Sequence, residues 1–148
     1  MWGLKGQQPL IPSRTDRRKV NVAGYVNPLS GKIIVFRIEK GNAENFIKQL
    51  EYLRTYYLRK KVTLYVDNAR WHHALSVNKW LKEHKRFKLK FIPPYSPELN
   101  PIERHWWYLR KRATQNKLFE NEDECWNKID NHFKKMSKRQ IKRLCQIY

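Results

Sequence analysis

The sequence predicts an α/β domain, and three observations carry that prediction. Two alternating runs rich in branched side chains, Val20 to Val26 and Lys32 to Ile38, flank Asn27-Pro28-Leu29-Ser30-Gly31 and read as a β-hairpin with a longer turn. A third run, Val62 to Val66, is nearly continuously apolar, as a central strand covered on both faces would be. Between and after these runs, apolar residues recur every three or four positions, the period of a helix that lays one face on a sheet.

The elements follow in order. Ala43 to Leu58 should be a helix with Phe46, Leu50, Leu53 and Tyr57 on its sheet-facing side, capped by Asn42 after Gly41. Lys60-Lys61 leads into the strand Val62 to Val66. A second helix is expected from about Arg70 to His84, with Ala74, Val77, Trp80 and Leu81 on one face and Lys82, Lys85 and Arg86 ending it in solvent. Lys88 to Ile92 reads as a short strand. The helix beginning at Pro101 should reach Lys117, and the tail, Glu120 to Met136 and Ser137 to Gln146, should form two more. No repeat, low-complexity tract or linker divides the sequence, so residues 1–148 read as one domain.

Composition narrows the partners. A chain of 148 residues, 41% hydrophobic, can bury a core. Its 32 Lys and Arg against 13 Asp and Glu leave a formal charge of +19, which strains a compact fold unless an anionic partner neutralises much of it. Nucleic acid is the expected partner, and six Trp and eight Tyr interleaved with the charge favour it over a merely solvated basic surface. No apolar run approaches the ~18 residues of a membrane span, and Met1-Trp2-Gly3-Leu4-Lys5 lacks a signal core, so a soluble cytoplasmic protein is expected. Cys125 and Cys145 show no metal-ligand spacing and read as reduced core thiols.

The chemistry concentrates in residues 91–104. Pro93, Pro94 and Pro97 make a rigid turn that leads into a helix whose first turn carries Glu103. Upstream, Asp67 closes the run Val62 to Val66 and opens Asp67-Asn68-Ala69-Arg70-Trp71-His72. The 35 residues between the two carboxylates leave room for a crossover helix and one more strand. Two carboxylates at the ends of neighbouring elements suggest a divalent-metal site. Each also has a structural reading: Asn100, Pro101 and Glu103 have the spacing of a helix capping box, and a strand-end Asp67 could cap the following helix. An open α/β sheet nevertheless holds its ligands beyond the carboxyl ends of its strands, where Asp67 would sit. An all-oxygen donor set matches the preference of hard cations, so Mg²⁺, or Mn²⁺ in its place, is the expected cofactor.

Arg104, Arg110, Lys111 and Arg112, with Lys134, Lys135, Lys138, Arg139, Lys142 and Arg143 in the tail, can neutralise phosphates. Each alone is an ordinary solvated charge. Together they predict salt-dependent, sequence-tolerant DNA binding.

Asp67-Asn68 with His72, then Pro93-Pro94-Tyr95-Ser96-Pro97, Leu99-Asn100-Pro101-Ile102-Glu103 and Trp106, resemble the second and third catalytic blocks of bacterial insertion-sequence transposases of the mariner superfamily. These are Asp-Asp-Glu endonucleases, and the resemblance implies a ribonuclease-H-like mixed sheet flanked by helices. It also implies Asp67 and Glu103 as metal-holding catalytic residues, with Asn68, His72, Asn100 and Trp106 in support. The same resemblance implies transposon-end and target DNA as partners and a homo-oligomer when active, in a prokaryotic, nucleoid-associated setting. Trp2-Gly3, Lys5-Gly6 and Pro9 resemble the Trp-Gly segment that follows the family's first catalytic strand. That strand and its Asp would precede Met1-Trp2, so we expect a truncated domain whose first catalytic strand is missing, completed by an upstream transposase fragment. Asp16, within a charged stretch, is the one internal substitute. The rival expectations are a remnant that binds DNA without turnover and an unrelated basic nucleic-acid-binding protein.

Overall fold

The computed structural model describes residues 20–146. Trp2-Gly3, Lys5-Gly6, Pro9 and Asp16 therefore lie outside the described residues. The hairpin forms as expected, β1 (Asn21–Asn27) pairing antiparallel with β2 (Lys32–Ile38) in the register Asn21↔Ile38 to Asn27↔Lys32. Gly31 closes its turn at φ +70°, a left-handed conformation that glycine adopts without a Cβ penalty. The Asn27 side chain accepts from the N–H groups of Leu29 and Ser30 and so satisfies the turn backbone.

Helix α1 (Ala43–Tyr56) starts at Asn42, whose side chain accepts the Asn45 N–H at 2.8 Å. Its face of Phe46, Leu50 and Leu53 is buried against Val66 of β3 (Val62–Val66), Val77 and Trp80 of α2 (Leu75–Glu83), and Phe87 of β4 (Phe87–Phe91). Strands β3 and β4 are parallel, joined through α2. The other face of the hairpin carries Val22, Ile33 and Val35. These pack against Trp106 of α3 (Pro101–Leu109) and Ile129 and Phe133 of α4 (Glu122–Lys135). Helix α5 (Lys138–Cys145) begins with a full capping box between Ser137 and Gln140 and buries Ile141 and Cys145. Cys125 and Cys145 are free thiols.

Three expected boundaries are corrected. Residues 70–84 do not form one helix: Arg70–His73 winds as a tight 3-10 turn, Ala74 is extended, and α2 starts at Leu75. The turn seats Trp71 against Gly41 and lets His72 reach back to Asp67, contacts that outweigh helix propensity. The helix from Pro101 stops well before Lys117. It widens into a π turn over Arg110–Thr114, which keeps Ala113 in the core, and Asn116 at φ +59° then turns the chain away. The last strand begins one residue early because Phe87 is buried, while the Ile92 N–H still bonds the Val66 carbonyl.

The sheet differs in continuity. Among the described residues the strands form two ladders, β1–β2 and β3–β4, with no hydrogen-bonded ladder between them.

Gly24 lies where the hairpin meets α3. A Cβ there would stand 2.7 Å from Cζ2 of Trp106, so Gly24→Val is expected to destabilise the fold by about 1–3 kcal/mol through overpacking, as measured by urea denaturation.

Candidate active site

Asp67 follows the last residue of β3, and its side chain is 69% exposed. One carboxylate oxygen accepts the Ala69 N–H at 3.2 Å and lies 3.1 Å from Nδ1 of His72, which is also 3.0 Å from the Asp67 carbonyl oxygen. The His72 side chain is 12% exposed and its ring rests 4.5 Å from that of Phe46. A partly buried imidazole thus fixes an open carboxylate. Asp67 caps no helix, since the residue before α2 is Ala74. Asn68 donates to the Ile92 carbonyl at 2.8 Å and ties the carboxyl end of β3 to that of β4. His73 stacks on Phe91 at 4.2 Å, a packing role.

Glu103 is held by the start of α3. Tyr95, in the proline turn, sits at φ +58°, a left-handed conformation uncommon for a bulky side chain. A short 3-10 turn, Pro97–Leu99, then delivers Asn100 to the cap and Pro101 to the first helical position. The Asn100 side chain accepts the Ile102 N–H at 3.4 Å, while the Asn100 N–H donates to the Pro97 carbonyl. Asn100 therefore caps the second helical residue, and neither reciprocal bond of a capping box with Glu103 is made. The Glu103 carboxylate takes no part in it, is exposed, and forms no hydrogen bond or ion pair among the described residues. Trp106, one turn on, packs edge-to-face on Phe133 at 5.6 Å and against Gly24, which anchors the helix beneath Glu103.

The structure brings the two carboxylates to one cleft of about 680 Å³. Its walls are β1 and β3, α1 contributes Phe46, Gln49 and Leu53, and Asn100, Ile102, Glu103 and Trp106 close one side. Tyr25 donates to Oε1 of the buried Gln49 at 2.6 Å; burial raises the tyrosine pKa, and the nearby Asp67 charge pushes it the same way. Among the described residues no group of three or more His, Cys, Asp or Glu is placed to hold a metal. No helix among them is long and apolar enough to cross a membrane.

The expected phosphate-neutralising residues divide. Arg104 is engaged within the fold, its guanidinium donating to the carbonyls of Leu144, Gln146 and Glu98 and bracing α3 against the end of α5. Arg110, Lys111 and Arg112 are exposed, Lys111 lying 4.2 Å from the centroid of the Trp107 ring and Arg112 5.6 Å from that of Tyr108. Lys138, Arg139, Lys142 and Arg143 are exposed along α5, while Lys134 pairs with Asp130.

Sequence reasoning missed His105. It is fully buried at the contact of α3 with α5, where its Nδ1 donates to the Pro101 carbonyl at 2.9 Å and Nε2 lacks a well-aligned partner. Desolvation lowers its pKa below 6.5, and the carbonyls of Pro101 and Ile141 oppose that more weakly. Burial lowers the pKa of His132 as well, with the neighbouring His105 adding to the shift. A histidine whose folded pKa is depressed binds fewer protons than its unfolded counterpart below pH 6.5. Stability is therefore expected to be complete above that pH and to fall as pH drops through it towards the folded pKa. The urea midpoint should decline between pH 7.5 and 5.5, and less steeply in a His105→Gln variant.

Comparison with known proteins adds an independent finding. The DDE superfamily endonuclease family matches residues 1–125. The insertion element IS630 uncharacterized 39 kDa protein of Shigella sonnei is 34% identical over 116 residues, 78% of this chain and 34% of that protein. The chain thus spans about a third of that relative's length. Among solved structures, the catalytic domain of Mos1 mariner transposase superposes with a TM-score of 0.70 at 19% identity, covering 88% of this chain and 69% of that one. The Mos1 mariner paired end complex with Mn gives 0.75 at 22%, covering 98% and 46%. At these identities the structures establish a shared fold, the ribonuclease-H-like arrangement.

Proposed function

The chain belongs to the DDE superfamily of endonucleases, and from that premise we propose that it serves as catalytic-domain material of an insertion-sequence transposase, acting in metal-dependent DNA strand cleavage and transfer. The observation that carries this reading is the convergence of Asp67 and Glu103 on one cleft, each exposed and Glu103 without a hydrogen-bond or ion-pair partner among the described residues. The donor set suits a hard divalent cation: carboxylate oxygens, with no thiolate and no free imidazole between them. Asp67 and Glu103 would hold it, with Mg²⁺ the natural ion and Mn²⁺ its substitute. The solved Mos1 mariner paired end complex contains Mn, which supports the choice.

Such an ion, when bound, would supply activation of an attacking oxygen and stabilisation of the departing one at a phosphodiester. The chain's own residues do the positioning. His72 and Asn68 hold the end of β3 so that Asp67 presents its carboxylate to the cleft. Asn100, Pro101 and Trp106 fix the first turn of α3, which limits the arc through which Glu103 swings. Exposed cations on the π turn and α5 would carry the DNA backbone, transposon ends and target alike, and a homo-oligomer would bring two ends together.

Mn²⁺ electron paramagnetic resonance, with duplex DNA present, tests the reading. Retention of Mn²⁺ by the chain, lost in Asp67→Asn, is expected. DNA binding without any Mn²⁺ uptake that depends on Asp67 or Glu103 would overturn it in favour of a binding-only remnant.

A further inference from the structure

We propose that the end of α1 and the turn after it form a second nucleic-acid site, which takes unpaired bases of a single strand by stacking on Tyr52 and Tyr56. This site does not depend on the metal reading above.

Residues 52–61 read Tyr-Leu-Arg-Thr-Tyr-Tyr-Leu-Arg-Lys-Lys, three tyrosines interleaved with four cations and no carboxylate. Arg54 is spent on Glu51. Arg59, Lys60 and Lys61 are exposed and enter no ion pair among the described residues, and Lys32 of β2 reaches the same corner through the Tyr56 hydroxyl. A helix C-terminus ordinarily repels an anion, but here the Arg86 guanidinium donates to the carbonyls of Arg54, Tyr57 and Lys60 and offsets that field. The corner is open to phosphate.

The rings are exposed yet held. Tyr52 and Tyr56 stand one turn apart on α1, beside the buried face of Phe46, Leu50 and Leu53 rather than on it, and are 49% and 38% exposed. Their planes differ by 18°, with centroids 6.4 Å apart. Phe36 of β2 meets Tyr52 edge-to-face at 5.1 Å, Tyr57 meets Tyr56 in the same way at 4.8 Å, and the Lys32 ammonium donates to the Tyr56 hydroxyl at the rim of that ring. Little rotamer freedom is left to lose when a base binds. Ordered aromatic rings beside cations are what unpaired bases stack on, whatever their sequence.

Charge and place select the occupant. A second copy of the chain would bring the same formal charge of +19 to the contact, and like charges repel. An acidic peptide would need only the cations. The base faces of a duplex are covered by their neighbours, so an unpaired strand alone uses rings and cations together. Lys32, Tyr52, Tyr56, Arg59, Lys60 and Lys61 all lie outside the lining of the cleft, and the corner sits where β3 begins, whereas Asp67 follows its last residue. Corner and cleft are separate sites.

The probe is a fluorescein-labelled oligothymidylate of about 12 nucleotides, titrated with the full chain by anisotropy at about 0.2 M salt, without divalent metal. Failure of the metal reading therefore leaves the outcome untouched. Saturable binding is expected, about tenfold weaker or more in a Tyr52→Leu, Tyr56→Leu double variant and close to the parent's in Tyr52→Phe, Tyr56→Phe, which keeps both rings. Duplex DNA should bind the Leu variant within about twofold of the parent, and its thermal unfolding midpoint should hold. Unchanged strand affinity in the Leu variant, or an equal loss for strand and duplex, would overturn the platform. Changing Arg59, Lys60 and Lys61 together to Gln should flatten the double-logarithmic salt slope for the strand by about 2; an unchanged slope would count against the site. An oligouridylate of the same length separates the two sources of unpaired bases: tyrosine dependence for both assigns the site to single strands generally, and dependence for one alone assigns it to that sugar. A Leu variant that sediments as a smaller species than the parent would give the rings to a second copy of the chain and overturn the assignment to nucleic acid.

Discussion

Affinity of the chain for duplex DNA is expected to fall by about 10³-fold or more between 50 and 200 mM salt, as it does for proteins that neutralise roughly six to ten phosphates. The charges for this are in place and unspent. Arg110, Lys111 and Arg112 on the π turn and Lys138, Arg139, Lys142 and Arg143 on α5 are exposed. Arg104 and Lys134 contribute less, being held by carbonyls and by Asp130. Ion pairs on the surface do not drain the surplus: 32 basic residues face 13 acidic ones. Backbone neutralisation carries no base information, so unrelated duplexes of equal length should bind within a few-fold of one another. A filter-binding titration would check both statements. A flat salt response would remove nucleic acid from the account of the charge.

The places where sequence and structure agree share a physical cause. Alternating branched residues around Asn27 to Gly31, and Phe46, Leu50 and Leu53 at helical spacing, state which faces must be buried, and burial dominates the energetics. The boundaries that moved are those where a single side chain outbid the local pattern. Trp71 and His72 bind Gly41 and Asp67 and break the expected helix at Ala74; Ala113 widens the end of α3 into a π turn. Long-range commitments of this kind leave no periodic trace.

The carboxylates of the candidate site were legible for a different reason. Asp67 ends an apolar run and Glu103 follows a proline turn, so local geometry alone placed each at the end of an element. What sequence could not weigh was the structural alternative for Glu103, since the capping-box spacing is satisfied by Asn100 to Glu103. Only the hydrogen bonds decide it, because Asn100 accepts from Ile102 and the Glu103 carboxylate makes no cap bond among the described residues. His105 gave no signal at all. A histidine four residues after a helix-opening proline reads as surface until α5 is seen to close over it. The split of the strands into two ladders is likewise a tertiary property, one that apolar runs cannot express.

The largest effect is expected at the carboxylates themselves. Under the proposed function, Asp67→Asn and Glu103→Gln should each lower metal-dependent strand cleavage by at least ~10²-fold, since each would remove a charged ligand from ions that would supply most of the transition-state stabilisation. With only these two carboxylates gathered in the cleft among the described residues, the reaction of the chain alone is expected to be slow. Plasmid nicking in Mg²⁺ and in Mn²⁺ provides the rates, and Asp16→Ala tests whether the one acidic residue ahead of β1 supplies a third carboxylate. DNA affinity should hold or rise slightly in both carboxylate variants, because each removes a negative charge from a surface that approaches phosphate. This separates lost chemistry from lost folding or binding. Cleavage that survives both substitutions at the wild-type rate would place the reactive centre elsewhere, whereas loss in both with intact DNA binding would assign it to the end of β3 and the first turn of α3.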